Sequence, residues 1–423
     1  MKQWACDVAV IGSGPAGLAA AYQAREAGAG RVLLIERNPE LGGILPQCIH
    51  NGFGVRLLGS DYTGPEYAAE WVRRAARAGV EALTDTMVLS LAADRTLLAV
   101  NAAHGLIEIR PRALVLAMGC RERPRGALAI PGTRPAGVYT AGTAQRLVNI
   151  EGYMPGERFV ILGSGDIGMI MARRVTLEGA QVVAMLEILP TISGLRRNLV
   201  QCIRDFDIPL RLCTTVVEVC GRERVQAVRI SQIDAHWRPI PGTEELLPCD
   251  TLLLSVGLIP ENELSRMAGV RLDPITGGPV VDECLATNLP GVFAAGNVVH
   301  VYDLVDDVTE SALRAGRAAA SYAHQGPRDR GRTIPVRSGE GVRHVVPQQL
   351  HTAGWEEAVT LSFRVRMPLE EAVRAEVRMG SEVLLAQRLR YVRPSEMVTL
   401  TLEPALAPRL ADAEALEVRV VRR

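Results

Sequence analysis

Lysine is almost missing from this chain. Lys2 stands alone among 47 basic residues, and every other cation is arginine. That excludes a lysine Schiff base, a P-loop lysine and a lysine–glutamate pair at a cofactor. Net charge is missing too. The 47 basic residues balance 47 acidic ones, so no basic field collects phosphate backbones, which argues against nucleic acid as a partner. No C-x-x-C occurs among Cys6, Cys48, Cys120, Cys202, Cys213, Cys220, Cys249 and Cys284. The scatter fits neither a secreted disulfide framework nor a zinc or iron–sulfur site. It points to a reducing cytoplasm and to no metal. Apolar runs such as 113–118 fall far short of the ~20 residues a membrane span needs. The N-terminus resembles a leader peptide, but its apolar run carries the glycines of another motif, and the targeting reading is set aside.

What is present is a motif met twice. Residues 7–11 read as a short buried strand, followed by Gly12-Ser-Gly14-Pro15-Ala16-Gly17, an alanine-rich helix over 18–27, and a second strand over 31–35 ending in Glu36. Gly12 allows the tight turn, Gly14 the approach of a pyrophosphate, and Gly17 the close packing of helix on strand. The helix N-terminus faces the negative charge, and Glu36 accepts from a ribose hydroxyl. The pattern returns as a strand over 159–162, Gly163-Ser-Gly165-Asp166-Ile167-Gly168, a helix over 169–178 and a strand over 181–186 ending in Glu187. The same interval, 24 residues, separates Gly12 from Glu36 and Gly163 from Glu187. Two dinucleotide motifs in one polypeptide predict electron transfer between two cofactors. Three more strands run into glycine turns, over 112–117 before Gly119, over 251–256 before Gly257, and at 291–295 before Gly296-Asn297.

The order of these motifs over about residues 5–325 resembles the two-dinucleotide flavoprotein oxidoreductases of the pyridine nucleotide–disulfide reductase superfamily. The resemblance implies FAD at Gly12, Gly14, Pro15, Ala16, Gly17, Glu36 and Arg37, with the glycine pair Gly42-Gly43 behind them, and further contacts at Val88, Ala117, Gly119 and Gly257. It implies NAD(P)H at Gly163, Gly165, Asp166, Ile167, Gly168 and Glu187, and a second FAD motif at Gly296 and Asn297. Asn297 stands where the family usually has Asp. The same resemblance makes Thr309, Glu310 and Ser311 the opening of a helix aimed at the flavin pyrimidine ring. Glu187 favours NAD(H) over NADP(H), although Arg196 and Arg197 follow nine and ten residues later.

The family's dithiol is missing. After Gly42-Gly43 comes Ile-Leu-Pro-Gln-Cys48-Ile-His50, with one cysteine, and the stretch 139–145, where another branch carries its pair, has none. Cys48 is either a lone thiolate beside the flavin with His50 as a proton donor, or a small packing residue. Residues 42–54 and 140–149 resemble a subgroup without the pair: the flavoprotein subunits of opine oxidase, hydrogen cyanide synthase and dye-linked proline dehydrogenase complexes. That implies a dehydrogenase or an iron–sulfur protein as partner, and it is compatible with a homo-oligomer. The expected fold is α/β, with two Rossmann-like domains and a small C-terminal mainly-β domain. The FAD domain takes 1–120 and 250–325, with the NAD(P)H domain inserted at 121–249. A Gly/Pro/Arg-rich linker spans 326–341, and alternation at 359–367, 398–402 and 416–420 marks the C-terminal domain, 342–423.

Overall fold

A computed structural model describes residues 2–422. The apolar run before the first glycine turn is the inner end of strand β1 (Lys2–Ile11), whose last four residues are buried. A strand apolar on both faces needs partners on both edges and cover on both sides, as a parallel sheet supplies. Its parallel partners are β2 (Val32–Ile35), flanked in turn by β3 (Glu81–Leu83), and the end of a long strand on the other edge. Two antiparallel strands, β4 (Thr86–Leu91) and β5 (Leu97–Asn101), lead into that strand, β6 (Gly105–Leu116). Helix α1 (Pro15–Glu26) buries Ala19, Ala20, Ala21 and Ala24 completely. Helix α2 (Gly64–Arg77) opens with a capping box made by Thr63 and Glu66 and buries Tyr67 and Trp71.

By contact density the chain forms two units, one running through Cys120 and resuming at Pro260, the other Arg121–Ile259. The second unit holds β7 (Val138–Thr140), α3 (Ala141–Asn149), β8 (Arg158–Leu162), α4 (Asp166–Leu177), β9 (Gln181–Leu186) and β10 (Leu210–Arg211). An antiparallel meander follows, β11 (Thr214–Gly221), β12 (Val225–Gln232) and β13 (Glu245–Pro248), and then β14 (Thr251–Leu254). The parallel sheet runs β7-β14-β8-β9-β10. Phe159 and Ile161 pack with Met169, Ala172 and Val175 of α4, while Val160 and Leu162 pack with Val216, Val228 and Ile230 of the meander. Period-two alternation on β8 thus splits the core into two layers.

One expected boundary is wrong. The expected first domain resumes at 250 and takes 251–256 with it. β14 instead ends at Leu254 and lies between β7 and β8, so the second unit continues to Ile259. A buried threonine and three buried leucines mark a strand without saying which sheet takes it.

Back in the first unit, β15 (Val292–Ala294) lies parallel to β6, and α5 (Val305–Gln325) crosses α1. The crossing is close: a Cβ on Gly316 would stand 2.2 Å from the Ala20 carbonyl oxygen. The expected linker 326–341 also needs correction. It contains β16 (Thr333–Ser338), with Ile334 and Val336 buried, paired to the segments Gln349–His351 and Leu416–Arg422. Pro335 and the flanking arginines disguised its alternation. The strands that follow are β17 (Val342–Val346), β18 (Gln349–His351), β19 (Val359–Val365), β20 (Val373–Met379), β21 (Glu382–Leu389), β22 (Val398–Leu402) and β23 (Leu416–Arg422). Two sheets, β18-β16-β23-β20-β21 and β17-β19-β22, share a core of Val359, Leu361, Phe363, Val365, Leu400, Leu402, Leu416 and Val418. Met367, expected on the same face, lies past the end of β19 and is exposed.

This β region belongs to the first unit. Arg364 donates to the Val301 carbonyl at 3.2 Å and to the Asp303 carboxylate, which also accepts from the Met397 amide at 2.6 Å. Glu283 accepts from the His351 amide and ring at 3.0 Å each. No helix among the described residues is long and apolar enough to cross a membrane.

Candidate functional site

The first glycine turn assigns each glycine a different reason. Gly12 has φ +96°, and a Cβ there would stand 2.5 Å from the Ala117 carbonyl oxygen. A Cβ on Gly17 would stand 1.7 Å from the Gly12 carbonyl oxygen. Gly14 is extended (φ −63°, ψ −175°), and a Cβ there would meet nothing within 4 Å. The fold itself therefore requires Gly12 and Gly17, whereas the space beside Gly14 is left clear. Pro15 starts α1, where its missing N–H costs no helical bond, and α1 has neither a side-chain cap nor an acid in its first turn. Its free N–H groups and positive end suit an anion.

Distant segments close around this turn. Gly43 (φ +60°) lies so near that its Cβ would stand 2.7 Å from the Gly14 Cα, and the Gly42 amide donates to the Ser13 carbonyl at 3.1 Å. A Cβ on Gly296 would stand 2.7 Å from the Ala16 Cβ, which places Asn297 beside the start of α1. Asn297 Oδ1 accepts from the Tyr302 amide at 3.1 Å, and Nδ2 donates weakly to Cys120 Sγ at 3.6 Å. Glu36 is buried. It accepts from the Ser13 amide at 2.9 Å, the Ser13 hydroxyl at 2.6 Å and the Asn38 amide at 2.9 Å. Ala117 follows β6, Gly119 has φ +70°, Arg37 is exposed, and Val88 is buried in the core of the first sheet.

Thr309, Glu310 and Ser311 do not open their helix. α5 begins at Val305, and its first turn carries Asp306 and Asp307. Thr309 shares a 2.8 Å hydrogen bond with the Tyr67 hydroxyl, Glu310 pairs with Arg56 at 2.9 Å, and Ser311 donates to the Val308 carbonyl at 2.8 Å. The true start escaped the sequence reading because Leu304, at the cap, has no side-chain acceptor to advertise it. Cys48 is buried, with its thiol donating to the Ile44 carbonyl at 3.4 Å, and burial pushes its pKa up to about 12. A Cβ on Gly64 would stand 2.5 Å from the Cys48 carbonyl oxygen, so the residue is wedged against the start of α2. The His50 ring packs 5.2 Å from that of Phe53.

The second unit repeats the arrangement. Gly163 has φ +99° and its Cβ would stand 2.1 Å from the Ser255 carbonyl oxygen. A Cβ on Gly168 would stand 2.7 Å from the Gly163 carbonyl oxygen, while Gly165 would meet nothing closer than 3.5 Å. Gly257 has φ +98° and open space, and Ile167 is half-buried on α4. Asp166 accepts from the Leu195 amide at 2.9 Å and from Asn198 at 2.6 Å. Glu187 is buried and accepts from the Ser164 amide at 3.0 Å, the Ser164 hydroxyl at 2.5 Å, the Leu189 amide at 3.0 Å and the Ser193 hydroxyl at 2.8 Å. Arg196 and Arg197 are exposed. Ser13, Ser164, Ser193 and Asn198 escaped the sequence reading. The signal that finds the first three is spacing: a serine inside each glycine turn, and a position six residues after each glutamate.

Where another branch of the family carries its dithiol, Thr140 and Thr143 share a hydroxyl–hydroxyl bond of 2.8 Å at the start of α3, and both Glu122 oxygens accept from the Gly142 amide at 2.8 Å. None of the eight cysteines is in a disulfide.

The chain is similar to known proteins. The family described as pyridine nucleotide-disulphide oxidoreductase matches residues 6–321. A subunit of opine oxidase from Agrobacterium tumefaciens (strain Ach5) is 29% identical over 310 residues, covering 69% of this chain and 61% of its own length. The chain thus spans less than two thirds of that relative. The ferredoxin reductase component of chlorobenzene dioxygenase from Cupriavidus sp. (strain PS12) is 27% identical over 425 residues, covering 97% of this chain and 93% of its own. Thioredoxin reductase of T. acidophilum matches with a TM-score of 0.62 at 22% identity, over 76% of this chain and 99% of its own, which shows the shared fold. The chain belongs to the pyridine nucleotide-disulphide oxidoreductase family.

Proposed function

We propose that this chain is a flavoprotein subunit that exchanges a hydride with NAD(H) and passes electrons to or from a partner subunit or a small acceptor, without a redox-active disulfide. The observation that carries this reading is the repeated turn. Each unit ends a parallel strand in a glycine turn, opens a helix there and holds a buried glutamate on the turn's serine.

FAD would lie at the first turn. Gly14 leaves the backbone clear for its pyrophosphate, the free N–H groups of α1 would take the charge, and Glu36 would accept from the adenosine ribose. Asn297 Nδ2, whose partner among the described residues is the Cys120 thiol, is a donor suited to a ribityl hydroxyl. The flavin, when bound, supplies the redox chemistry that protein side chains lack. The nicotinamide dinucleotide would lie at the second turn. There the Glu187 carboxylate favours a ribose hydroxyl over a 2′-phosphate, and Ile188, Leu189 and Pro190 supply no guanidinium beside it. The Cys48 thiol, buried and protonated, takes no part in electron transfer.

The proposed partner is a dehydrogenase or iron–sulfur chain, in line with relatives named as subunits. Eight free thiols suit a reducing cytoplasm. Anaerobic stopped-flow mixing with NADH tests the reading. Bleaching of the flavin at rates comparable to turnover is expected. A flavin that stays oxidised would leave a nucleotide-holding structural subunit instead.

A further inference from the structure

The two glycine turns differ in sequence at two places. Gly12-Ser13-Gly14-Pro15-Ala16-Gly17 stands against Gly163-Ser164-Gly165-Asp166-Ile167-Gly168, so proline opens one helix and aspartate the other. The backbones before them match: Gly14 has φ −63° and ψ −175°, and Gly165 has φ −65° and ψ 164°. Neither helix has a side-chain cap, and each begins at the residue after the second glycine. Each turn serine donates its hydroxyl to a buried glutamate. What differs at the helix start is charge. The first turn of α1 holds no acid, and that of α4 holds Asp166.

The Asp166 side chain is held where it stands. Its Oδ1 accepts from the Leu195 amide at 2.9 Å and from Asn198 Nδ2 at 2.6 Å. Gly194 packs on the same spot, where a Cβ would stand 2.8 Å from the Asp166 nitrogen and 2.8 Å from its Oδ1. Both donors are neutral amides, so they orient the carboxylate without cancelling its charge. An acid in the first turn stabilises its own helix, because it sits at the positive end of the macrodipole. By the same token it weakens the field that an incoming anion meets. The helix start carries about half a positive charge, and a full negative charge beside it reverses the local sign. Pro15 leaves the start of α1 unopposed.

We propose that Asp166 loosens the hold of the second turn on a pyrophosphate, so that the nicotinamide dinucleotide exchanges there while the acid-free start of α1 retains its own ligand. The inference rests on the reading that the second unit takes a nicotinamide dinucleotide. In that reading FAD stays bound through many turnovers, whereas the nicotinamide dinucleotide leaves in each one. The two pyrophosphates are chemically alike. A like charge fixed beside one turn weakens that site alone, and it acts on the phosphates without touching the base or the ribose. Replacing Asp166 by asparagine keeps an oxygen for Leu195 and Asn198 and removes the charge. Replacing it by serine removes the charge with a shorter side chain, so the result does not hang on one variant.

Calorimetric titration of the purified flavoprotein with ADP-ribose reads this without any turnover. Asp166→Asn and Asp166→Ser should bind ADP-ribose about tenfold more tightly than the wild type, the scale of one unit-charge repulsion at a partly exposed site. Adenosine, which has the base and the ribose but no phosphate, should bind the wild type and both variants equally. If the neutral variants bind ADP-ribose no more tightly than the wild type, the carboxylate does not weaken the site. That result overturns the proposal and leaves the nucleotide site standing. A gain of the same size for adenosine overturns it too, because Asp166 would then act through the fold of the site and not on the phosphates. If neither the wild type nor the variants bind ADP-ribose, the nucleotide reading of the second unit fails and the proposal falls with it.

Discussion

Thr140 and Thr143 share a hydrogen bond of 2.8 Å between their hydroxyls, on the turn where a related branch carries two redox thiols. Hydroxyls three residues apart at a helix start cap the helix and cannot cycle between oxidised and reduced forms. Cys48, the one cysteine in the stretch that follows Gly42-Gly43, is buried with a pKa pushed up to about 12. Only a thiolate attacks a disulfide or a peroxide at a useful rate.

Cys48→Ser is therefore expected to retain at least about half of the NADH-driven flavin reduction, because burial leaves almost no thiolate at neutral pH. Stopped-flow absorbance at the flavin band measures it. A fall to a few per cent, with flavin content intact, would restore Cys48 as a redox group.

Gly14→Val should separate folding from cofactor binding. The position has an ordinary φ and an added Cβ meets nothing within 4 Å, so the variant should fold with near wild-type stability. The new side chain would stand where the pyrophosphate of the proposed FAD site approaches, and the protein should purify colourless. Gly12→Val is the contrast: positive φ alone costs roughly 1–3 kcal/mol, and the Cβ also meets the Ala117 carbonyl. It should unfold at markedly lower urea. Acid precipitation of the wild type should release its yellow colour into the supernatant, giving the occupancy readout for both variants. A yellow Gly14→Val protein refutes the assignment of that turn.

In the proposed nucleotide site Glu187→Ala would remove an acceptor for the ribose and a like charge facing any 2′-phosphate, each worth about 1–3 kcal/mol. It should narrow the NADH-to-NADPH ratio of kcat/KM by at least about tenfold. A wild type that already prefers NADPH, or a ratio the substitution leaves untouched, would show that Glu187 is not the selector.

His300 and His344 predict an acid limit. Their ring centres are 6.1 Å apart, and their four ring nitrogens have no hydrogen-bond partner among the described residues. Burial lowers the pKa of His300 to about 3 and of His344 to about 4, and the nearby Arg364 adds to both. A base whose folded pKa is depressed contributes stability above its unfolded value, near 6.5, and that contribution is lost as pH falls toward the folded value. Between pH 6.5 and 5 each histidine should cost about 2 kcal/mol. His344→Gln should flatten this slope in urea melts at pH 7.5 and 5. Asp282, raised to about 6 by burial, and His351, raised by Glu283, act in the opposite direction in both proteins, so the difference between wild type and variant isolates His344. An unchanged slope would place the acid sensitivity elsewhere.

The sequence by itself determined the parts whose causes are local. Gly12, Gly14 and Gly17, the helix behind them and Glu36 lie within one strand–turn–helix–strand stretch, and the second copy does too, so spacing alone found both. The alternation at 359–365 named a buried strand face for the same reason. The tertiary structure decided what depends on neighbours distant in the chain. It put the 251–254 strand into the second sheet, because an apolar strand fits any sheet that offers two edges. It revealed a strand inside the expected linker, because Ile334 and Val336 are buried only against their partners. It moved the start of α5 to Val305, because that cap has no side-chain signature. It showed that Gly14 is clear while Gly12 and Gly17 are crowded, a distinction made by Ala117 and by the turn's own carbonyl. The unequal donor sets on Glu36 and Glu187 arise in the same way. Hydrogen bonds to a buried carboxylate come from whichever chain segments fold over it, and no local pattern states how many will arrive.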